Sequence, residues 1–511
     1  MKEKKYLVLG ITLVLLTFVG VSLAYFLTTI EGDRKNITIN TSDLRVIFTN
    51  GDAIEGTEIE PGWSVTKTFS VENKTKNEYK YNIVIEDLVN TFKTTGYLQY
   101  KITSTDGGYN MTDFEDVPKS SIATNTVLVY SVSIPAKSIQ NYTITIQYKN
   151  DENVDQSIDS LLDAVVTGKL YINEGTYPTL SEVILRDNPT ISERTDFNVI
   201  NTANTTGTIY QTNKTEDGST VYYYSGNTSK NWVKFAGFYW RIIRTNEDGS
   251  VRLLYAGTNH NTTSGYIVLS KFNENYNDPM YAGYMYGTTG SLANNRTNTN
   301  DSTVKTAVDT WYENNLLANY DKYISKTTIY CNDRSISSDY TYSTSSSFDY
   351  GTSTRLADNK APTYKCGGNT SDGLFESTQA IADKFSASTE GGGNGQLTYP
   401  IALMTADEVA FAGGKKWTEL NSPYAWYYTN SQGETITRGT WWWSLSPYGW
   451  DGSDASVWFV YGSVNPGGLG LGNVQDGYGV RPSVSLASCV GIKSGNGTPE
   501  SPYEIDESSC S

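Results

Sequence analysis

Residues 438–450 read RGTWWWSLSPYGW, a short stretch with three adjacent tryptophans and a fourth at its end. In a β-strand, successive side chains point to opposite faces. Trp441 and Trp443 should therefore share one face, and we predict that they are structural residues of a hydrophobic core. Trp442 would lie on the opposite face, where its ring could be exposed.

Aromatic and polar residues continue beyond this stretch. Exposed aromatic rings bury much area against a partner, and polar side chains around them orient it. This combination suits a sugar or a protein ligand. The predicted ligand-binding residues are Tyr448, Trp450, Asp451, Asp454, Trp458, Tyr461 and Asn465.

The order of motifs in this region resembles a known fold family. The tryptophans are followed by Ser446-Pro447, a polar loop, a strand-like run at 455–461, a Gly-rich turn at 465–472 and Gly479-Val480-Arg481-Pro482. This order resembles the bacterial form of the C-type-lectin-like fold, which occurs in formylglycine-generating enzymes, receptor-binding variable proteins and bacterial surface domains. The resemblance implies a binding or adhesive head and, rarely, catalysis. We expect Arg481 to be a buried structural residue that bonds loop carbonyls or a carboxylate.

The N-terminus predicts export. Residues 6–30 carry no charge, and about 20 apolar residues suffice for a transmembrane helix. Three lysines precede this segment, which places the N-terminus inside the cell and the remaining chain outside. The alternative is a signal peptide cleaved after Ala24, where small residues stand at the right positions. We predict a single-pass membrane anchor over residues 1–30, or a secreted protein if the segment is cleaved.

Residues 31–173 are predicted to form an all-β domain. Apolar and polar residues alternate at 79–86, 128–134 and 142–149, between turns rich in Gly, Asn, Asp and Pro. About six to eight short runs of this kind predict a β-sandwich. The stretches at 24–26, 38–46 and 60–69 resemble camelysin and related secreted biofilm-fibre proteins. That resemblance implies a surface or fibre-forming module whose signal is cleaved before the aromatic pair.

A second β-rich domain is predicted over residues 206–487, with the C-type-lectin-like fold, after a linker at 174–205. Residues 331–395 are rich in Ser, Thr, Gly and Tyr, so we expect a surface insertion there. Residues 488–511 would form a C-terminal tail tied back by a disulfide.

Local patterns place elements within this second domain. Asp-Gly pairs at 217–218 and 248–249 separate strand-like runs, which indicates hairpins. A helical stripe of apolar residues runs over 302–323. The sequence Thr405-Ala-Asp-Glu408 is a capping box that begins a short helix.

The four cysteines agree with export to an oxidising compartment. Their spacings match no zinc motif, and four cysteines allow three pairings. Proximity along the chain favours Cys331–Cys366 and Cys489–Cys510. We predict that both disulfides are structural.

Composition argues against several classes of function. The formal net charge is −16, so the basic footprint of a nucleic-acid-binding protein is missing. His260 is the only histidine, which removes His-based triads and multi-His metal sites. The tripeptides of calcium-dependent sugar-binding lectins do not occur, nor does the cysteine pair of a formylglycine-generating enzyme. We therefore predict no metal, no cofactor and no catalysis.

The predicted fold class is mostly β with a few helices, an all-β domain followed by an α+β domain. The function that follows is non-catalytic: a bacterial cell-surface adhesion or ligand-binding protein with a C-type-lectin-like head on a β-sandwich stalk. Its partner would be an extracellular glycan or protein. The alternative is a structural subunit of an extracellular fibre or matrix. A surface enzyme such as a glycosidase is a less favoured third possibility.

Overall fold

The computed structural model describes residues 59–161, 164–366, 383–388, 390, 396–420 and 425–510, and four strands between Thr28 and Gly56. These residues are mostly β-structure arranged in several sheets, with a few short helices, as the composition predicts. The chain divides into two compact units, residues 1–177 and 178–511.

Most of the predicted membrane segment, with the possible cleavage site at Ala24, lies outside the described residues. Residues 28–30, its last three, belong to the strand Thr28–Glu31. The predicted boundary at residue 30 is therefore wrong, because the first β-strand begins before it. Among the described residues, no helix is long and apolar enough to span a bilayer.

In its described residues, the first unit has two sheets and one short helix, α1 (Ser157–Leu161). Its strands are β1 (Thr28–Glu31), β2 (Asn36–Thr41), β3 (Leu44–Asn50), β4 (Ile54–Gly56), β5 (Ser64–Asn73), β6 (Tyr79–Asn90), β7 (Leu98–Ser104), β8 (Glu115–Asp116), β9 (Ser120–Ile134), β10 (Ile139–Tyr148) and β11 (Val166–Glu174). One sheet has the order β4-β1-β11-β6-β9, and the other has the order β2-β3-β5-β10-β7-β8.

Alternating side chains join these two sheets. Along β10, the buried residues are every second one, as the period-two pattern predicts. Ile144 of β10 and Val71 of β5 share one core with Ile83 of β6 and Leu170 of β11, from the other sheet. The two sheets therefore pack face to face around a common apolar layer.

The second unit has two larger sheets. Its strands are β12 (Thr190–Ser192), β13 (Thr208–Thr212), β14 (Val221–Tyr223), β15 (Trp232–Phe235), β16 (Phe238–Thr245), β17 (Val251–Gly257), β18 (Val268–Ser270), β19 (Met285–Tyr286), β20 (Asn300–Asp301), β21 (Tyr330–Cys331), β22 (Phe348–Asp349), β23 (Lys384–Phe385), β24 (Ile401–Leu403), β25 (Trp442–Trp450), β26 (Ala455–Val460), β27 (Leu469–Asn473), β28 (Tyr478–Val480), β29 (Pro482–Leu486), β30 (Ile492–Ser494) and β31 (Tyr503–Ile505). One sheet follows the order β12-β13-β14-β16-β15-β31-β30, and β17, β29 and β24 extend it from β16. The other has the order β18-β28-β25-β26-β27, with β22 paired to β25.

Short helices connect these strands. They are α2 (Leu180–Asp187), α3 (Leu292–Asn295), α4 (Thr303–Tyr312), α5 (Gly351–Ser353) and α6 (Ala406–Ala412). Further single turns are the 3-10 helices Pro279–Ala282 and Asp321–Tyr323 and the π-helices Glu313–Leu317 and Thr354–Asp358. The predicted helical stripe at 302–323 is confirmed as α4 and the turns that follow it. The capping box is confirmed at α6, where Thr405 Oγ1 accepts from the Glu408 N–H at 3.1 Å.

Two predicted boundaries of the second domain are wrong. Helix α2 lies in the predicted linker, yet its Leu180, Val183 and Ile184 are buried in the core of the second unit. The predicted C-terminal tail is also integral, since β31 pairs with β15 and Tyr503 is fully buried. Apolar side chains of helix α2 and of the C-terminal segment complete the same core, so both segments belong to the second domain.

The predicted surface insertion is also wrong for the residues of 331–395 that the structure describes. Arg334, Tyr350 and Phe385 are fully buried there. Strand β22, within the same segment, pairs with the end of β25. The exposed residues 338–341 and 344–347 form only a short loop between these buried contacts. Both predicted disulfides are confirmed, Cys331–Cys366 and Cys489–Cys510.

A buried carboxylate links helix α6 to the larger sheet. Glu408 Oε1 lies 2.9 Å from Arg252 Nη1 on β17 and 3.3 Å from Arg244 Nε on β16. Its Oε2 accepts the Thr405 N–H of the capping box at 2.9 Å. All three charged side chains are almost completely buried. Removing one member of such a group leaves buried charges unpaired, which is strongly destabilising.

We predict that Glu408→Gln lowers the free energy of unfolding by about 3–5 kcal/mol, because Arg252 loses its carboxylate partner and Arg244 keeps only Glu247, 3.6 Å away. Urea denaturation of the full chain measures the change. Glu182→Gln is the matched control, since Glu182 fills the same position in the exposed capping box of α2. Loss of a charge there should cost about 0.3–1 kcal/mol. Equal losses in the two variants would contradict the role of the buried charge group.

The same group predicts a pH dependence. Burial acts to raise the pKa of Glu408, but Arg252 and Arg244 overcome it and hold the pKa below its ordinary value of 4.5. Since the folded pKa is lowered, the stabilisation is complete above about pH 4.5 and is lost as the pH falls through the folded pKa. The stability difference between the natural chain and Glu408→Gln should therefore narrow as denaturation is repeated from pH 7 to pH 3. A stability difference that stays constant from pH 7 to pH 3 would contradict this prediction.

The Cys489–Cys510 disulfide closes a loop that contains β30 and β31. Replacing both cysteines by serine should lower the free energy of unfolding by about 3 kcal/mol, because the unfolded chain gains conformational freedom. Differential scanning calorimetry of the double variant measures the loss. A melting temperature equal to that of the natural chain would show that the pairing of β31 with β15 holds this segment without the disulfide.

Candidate ligand-binding site

The tryptophan run forms the first part of β25, and the structure buries more of it than the alternation of a strand predicts. Trp442 and Trp443 are both fully buried, whereas Trp441 is partly buried and stacks on Phe459 with ring centroids 4.6 Å apart. The expectation that Trp442 would be exposed is wrong. Strand β25 lies inside its sheet between β28 and β26, and both of its faces are covered by the core.

Arg481 is the buried structural arginine that the sequence predicts. It is fully buried, and its Nε and Nη2 donate to the Tyr255 carbonyl at 3.1 and 3.0 Å. Its guanidinium also lies 4.8 Å from the centre of the Trp442 ring. Burial without a carboxylate partner lowers the pKa of Arg481 to about 9. The side chain therefore ties β28 and β29 to the end of β17 and to the indole of Trp442.

The structure separates the predicted ligand-binding residues into two groups. Trp450, Asp451 and Asp454 lie at the turn that joins β25 to β26, whereas Tyr461 and Asn465 follow the far end of β26. Six residues of extended strand separate the groups by about 20 Å. A single small ligand could not contact both groups.

Two of the predicted aromatic residues are not available to a ligand in this structure. Trp450 is 4% exposed and Trp458 is 0% exposed, so the expectation of exposed rings is wrong for both. Trp458 faces the core from β26 and packs edge-on against Tyr448, with centroids 4.9 Å apart. Of the predicted aromatic residues, the half-buried Tyr448 and Tyr461 keep part of their rings at the surface.

Asp451 and Asp454 stabilise the turn itself. Asp451 Oδ1 accepts from the Ser453 and Asp454 N–H groups at 2.8 and 2.7 Å. Although burial acts in the opposite direction, these hydrogen bonds lower the pKa of Asp451. Asp454 accepts from Ser453 and from the amide of Asn473 on β27. Asp451 and Asp454 therefore stabilise the turn between β25 and β26 through these hydrogen bonds.

A different aromatic residue is exposed at the other end of the hairpin. Trp417 is 57% exposed, and the ammonium of Lys416 lies 4.3 Å from the centre of its ring. The same ammonium donates to Tyr448 Oη at 2.9 Å. The Trp417 N–H donates to the Leu469 carbonyl at 2.8 Å, which brings the loop at 461–468 alongside. We refer to Lys416, Trp417, Tyr448, Val464 and Asn465 as the Trp417 surface.

The backbone of this surface is strained. Trp417 has φ 50°, and Val464 and Asn465 have φ 30° and 61°. Left-handed backbone is costly for a bulky or β-branched residue, and such strain is concentrated at functional sites. Val464 is 73% exposed, so no burial of its side chain offsets the strain. Strain and exposure therefore coincide in two adjoining loops.

Trp417 is not among the predicted ligand-binding residues, although the sequence contains a signal for it. The residue follows Gly413-Gly414, the predicted end of helix α6, and two lysines. An aromatic residue directly after a helix stop lies in a loop, where no alternation forces it into a core. Tyr448, Tyr461 and Asn465 remain near this surface from the predicted set.

Two other polar groupings are accounted for by contacts within the chain. A cavity of about 220 Å³ beside Glu408 contains Arg355, which is paired with Asp407 at 2.8 Å and with Asp333 at 2.9 Å. His260 Nδ1 lies 2.7 Å from Ser431 Oγ, and the Ser431 N–H donates to the His260 carbonyl, so this pair joins two loops. Among the described residues, no group of three or more metal-ligating side chains comes together.

No protein-family model and no curated protein matches this chain, so its function is inferred from this geometry.

Proposed function

We propose that the chain is a non-catalytic bacterial cell-surface protein that binds a ligand through the second unit. In this proposal residues 178–511 form a C-type-lectin-like head, and residues 1–177 form the stalk. The N-terminal segment anchors the protein in the membrane, or is removed after Ala24 to release it. The partner is an extracellular glycan or protein.

The exposed indole of Trp417 carries this proposal. One face of the ring is held by the Lys416 ammonium, a cation–π contact at 4.3 Å. Lys416 is in turn fixed by its hydrogen bond to Tyr448. An aromatic anchor that is already positioned loses little conformational freedom when a partner binds, so more of its contact energy appears as affinity. Tryptophans of this kind dominate the affinity of many protein surfaces.

The lectin-like assignment of the head is supported by the motif order and by the role of Arg481. The G-V-R-P segment places a buried arginine beneath the tryptophan strand, where it bonds the carbonyls of Tyr255 and Tyr427. The adjoining loops at 415–420 and 461–468 then project from this fixed base. A rigid base with variable loops suits binding, since loops positioned by a scaffold carry most recognition residues.

We predict that Trp417→Gly strongly weakens ligand binding without destabilising the head. Loss of an aromatic anchor should cost about 2 kcal/mol or more, a roughly 30-fold or larger rise in Kd. Glycine adopts φ 50° without strain, so the melting temperature should stay equal or rise. The assay is binding of the detergent-solubilised full chain to a broad glycan array and to an extracellular protein array.

Tyr340→Ala is the control for this experiment, because Tyr340 is an aromatic side chain of similar exposure, 44%, outside the Trp417 surface. Its binding should equal that of the natural chain. Undiminished binding by Trp417→Gly would refute the proposed role of this surface.

A fibre-forming role is the second candidate, and strand β9 favours it. This strand is the last of its sheet among the described strands, and it is 15 residues long. Ser120–Ile134 contains no charged residue and no proline, the usual protections of an edge strand. Ile122, in its exposed half, is 70% exposed. An unprotected edge of this length can pair with the same strand of another copy.

We predict that Ile122→Lys prevents any assembly that depends on β9, because a charge on an edge strand opposes pairing with another chain. Electron microscopy and size-exclusion chromatography over a range of concentrations test this. Ile158→Lys is the matched control, since Ile158 is 42% exposed and belongs to helix α1 rather than to the edge strand. Filaments formed equally by both variants would exclude β9, and a natural chain that stays monomeric at every concentration would exclude the fibre role.

A further inference from the structure

A second concave surface lies on the second unit, between helix α4 and the region of strand β18. It is an open groove of about 720 Å³. This volume is within the range of about 300–1,000 Å³ typical of sites for small ligands. The Trp417 surface contributes no residue to it.

The polar lining of the groove is dominated by neutral groups. Amide side chains come from Asn273, Asn314 and Asn315, and hydroxyl groups come from threonines on one side of α4. Amides donate and accept hydrogen bonds, and hydroxyl groups do the same. The groove therefore matches a ligand whose own groups are both donors and acceptors.

Both carboxylates that line the groove contact a lysine, although one of these lysines, Lys305, is shared with a further carboxylate, Asp309. Glu274 is paired with Lys271 at 2.6 Å, and Asp301 is paired with Lys305 at 3.2 Å. A charged ligand would have to compete with these lysines or carboxylates. A neutral ligand meets no such competition.

One lining residue has an unused donor. The side chain of Asn273 is buried, with the residue only 3% exposed, and its Nδ2 has no hydrogen-bond partner among the described residues. Its backbone is fixed, since the Asn273 N–H donates to the Val474 carbonyl at 2.9 Å. Buried amide donors without acceptors are rare in folded proteins because they are costly. A ligand oxygen in the groove would satisfy this donor.

Aromatic rings supply the apolar part of the lining. Trp311 on α4 packs against Phe238 and Tyr255, with centroids 5.2 and 5.4 Å apart, and its remaining surface borders the groove. Tyr286 is half-buried and borders it as well. A ring fixed by packing offers a flat face on which the C–H face of a sugar ring can stack.

We infer that this groove binds a neutral, hydroxyl-rich ligand, a short oligosaccharide. Carboxylates that already contact lysines, amide and hydroxyl side chains, an unsatisfied buried donor and packed aromatic rings all match that chemistry. An extended peptide on the edge of β18 fits less well, because this strand offers only three residues for pairing. The inference goes beyond the Trp417 surface and names a second binding site in the same unit.

The experiment uses the full chain in detergent and an array of neutral oligosaccharides of glucose, galactose, mannose and N-acetylglucosamine. Isothermal titration with the best-bound oligosaccharide then gives its Kd. Asn273→Leu keeps the side-chain volume and removes the donor, so Kd should rise about tenfold while the melting temperature stays equal or rises. Asn314→Ala, on the exposed side of the groove, should also raise Kd.

Asn319→Leu makes the same chemical change at an exposed position outside the groove and should leave Kd unchanged. Trp417→Gly should also leave this Kd unchanged, which separates the groove from the Trp417 surface. The inference is overturned if no oligosaccharide binds, or if Asn273→Leu and Asn314→Ala both bind as the natural chain does. Binding that is lost in Trp417→Gly alone would overturn it while supporting the other surface. The inference is also overturned if an uncharged extended peptide binds in the groove and the oligosaccharides do not displace it.

Discussion

One buried carboxylate determines how the second unit is held together. Glu408 begins helix α6 through its capping box, and it binds arginines from two adjacent strands of the larger sheet. A helix start, two strands and two desolvated positive charges therefore depend on a single side chain. The loop after α6, which carries Lys416 and Trp417, starts from this fixed point. The loop that carries the exposed indole of Trp417 is therefore attached to the buried Glu408 group, several residues earlier in the chain.

The aromatic residues of the second unit are of two kinds: some are buried in the core, and others are partly exposed at the surface. Trp442, Trp443 and Trp458 are buried in β25 and β26 and form the base of the smaller sheet. Trp417 and Trp311 lie outside these strands and keep part of their surface accessible. One side of each ring contacts the protein: the Trp417 ring contacts the ammonium of Lys416, and the Trp311 ring contacts other aromatic rings.

Much of the local structure could be predicted from the sequence, because local patterns determine it. The alternation along β10, the capping box at Thr405 and both disulfides follow from neighbours in the chain. The errors concern contacts between distant segments. Alternation indicates two faces but not whether a second layer covers both, so the burial of Trp442 could not be predicted. Composition suggested that 174–205 and 488–511 were accessory, whereas a few apolar residues in each complete a core built elsewhere. Trp417 was missed because no periodic pattern includes it.

The pairing of β31 with β15 has a consequence for how the chain is made. These strands are parallel neighbours in one sheet, yet about 270 residues of sequence separate them. Strands β1 to β11 are all present once residue 174 has been synthesised, so the first unit can fold early. Strand β15 pairs with β16 at once, but its second neighbour, β31, exists only when residues 503–505 have been synthesised. The second unit therefore completes its larger sheet much later in synthesis than the first unit completes its own. A truncation close to the C-terminus would leave an open sheet edge in a unit that is otherwise fully synthesised.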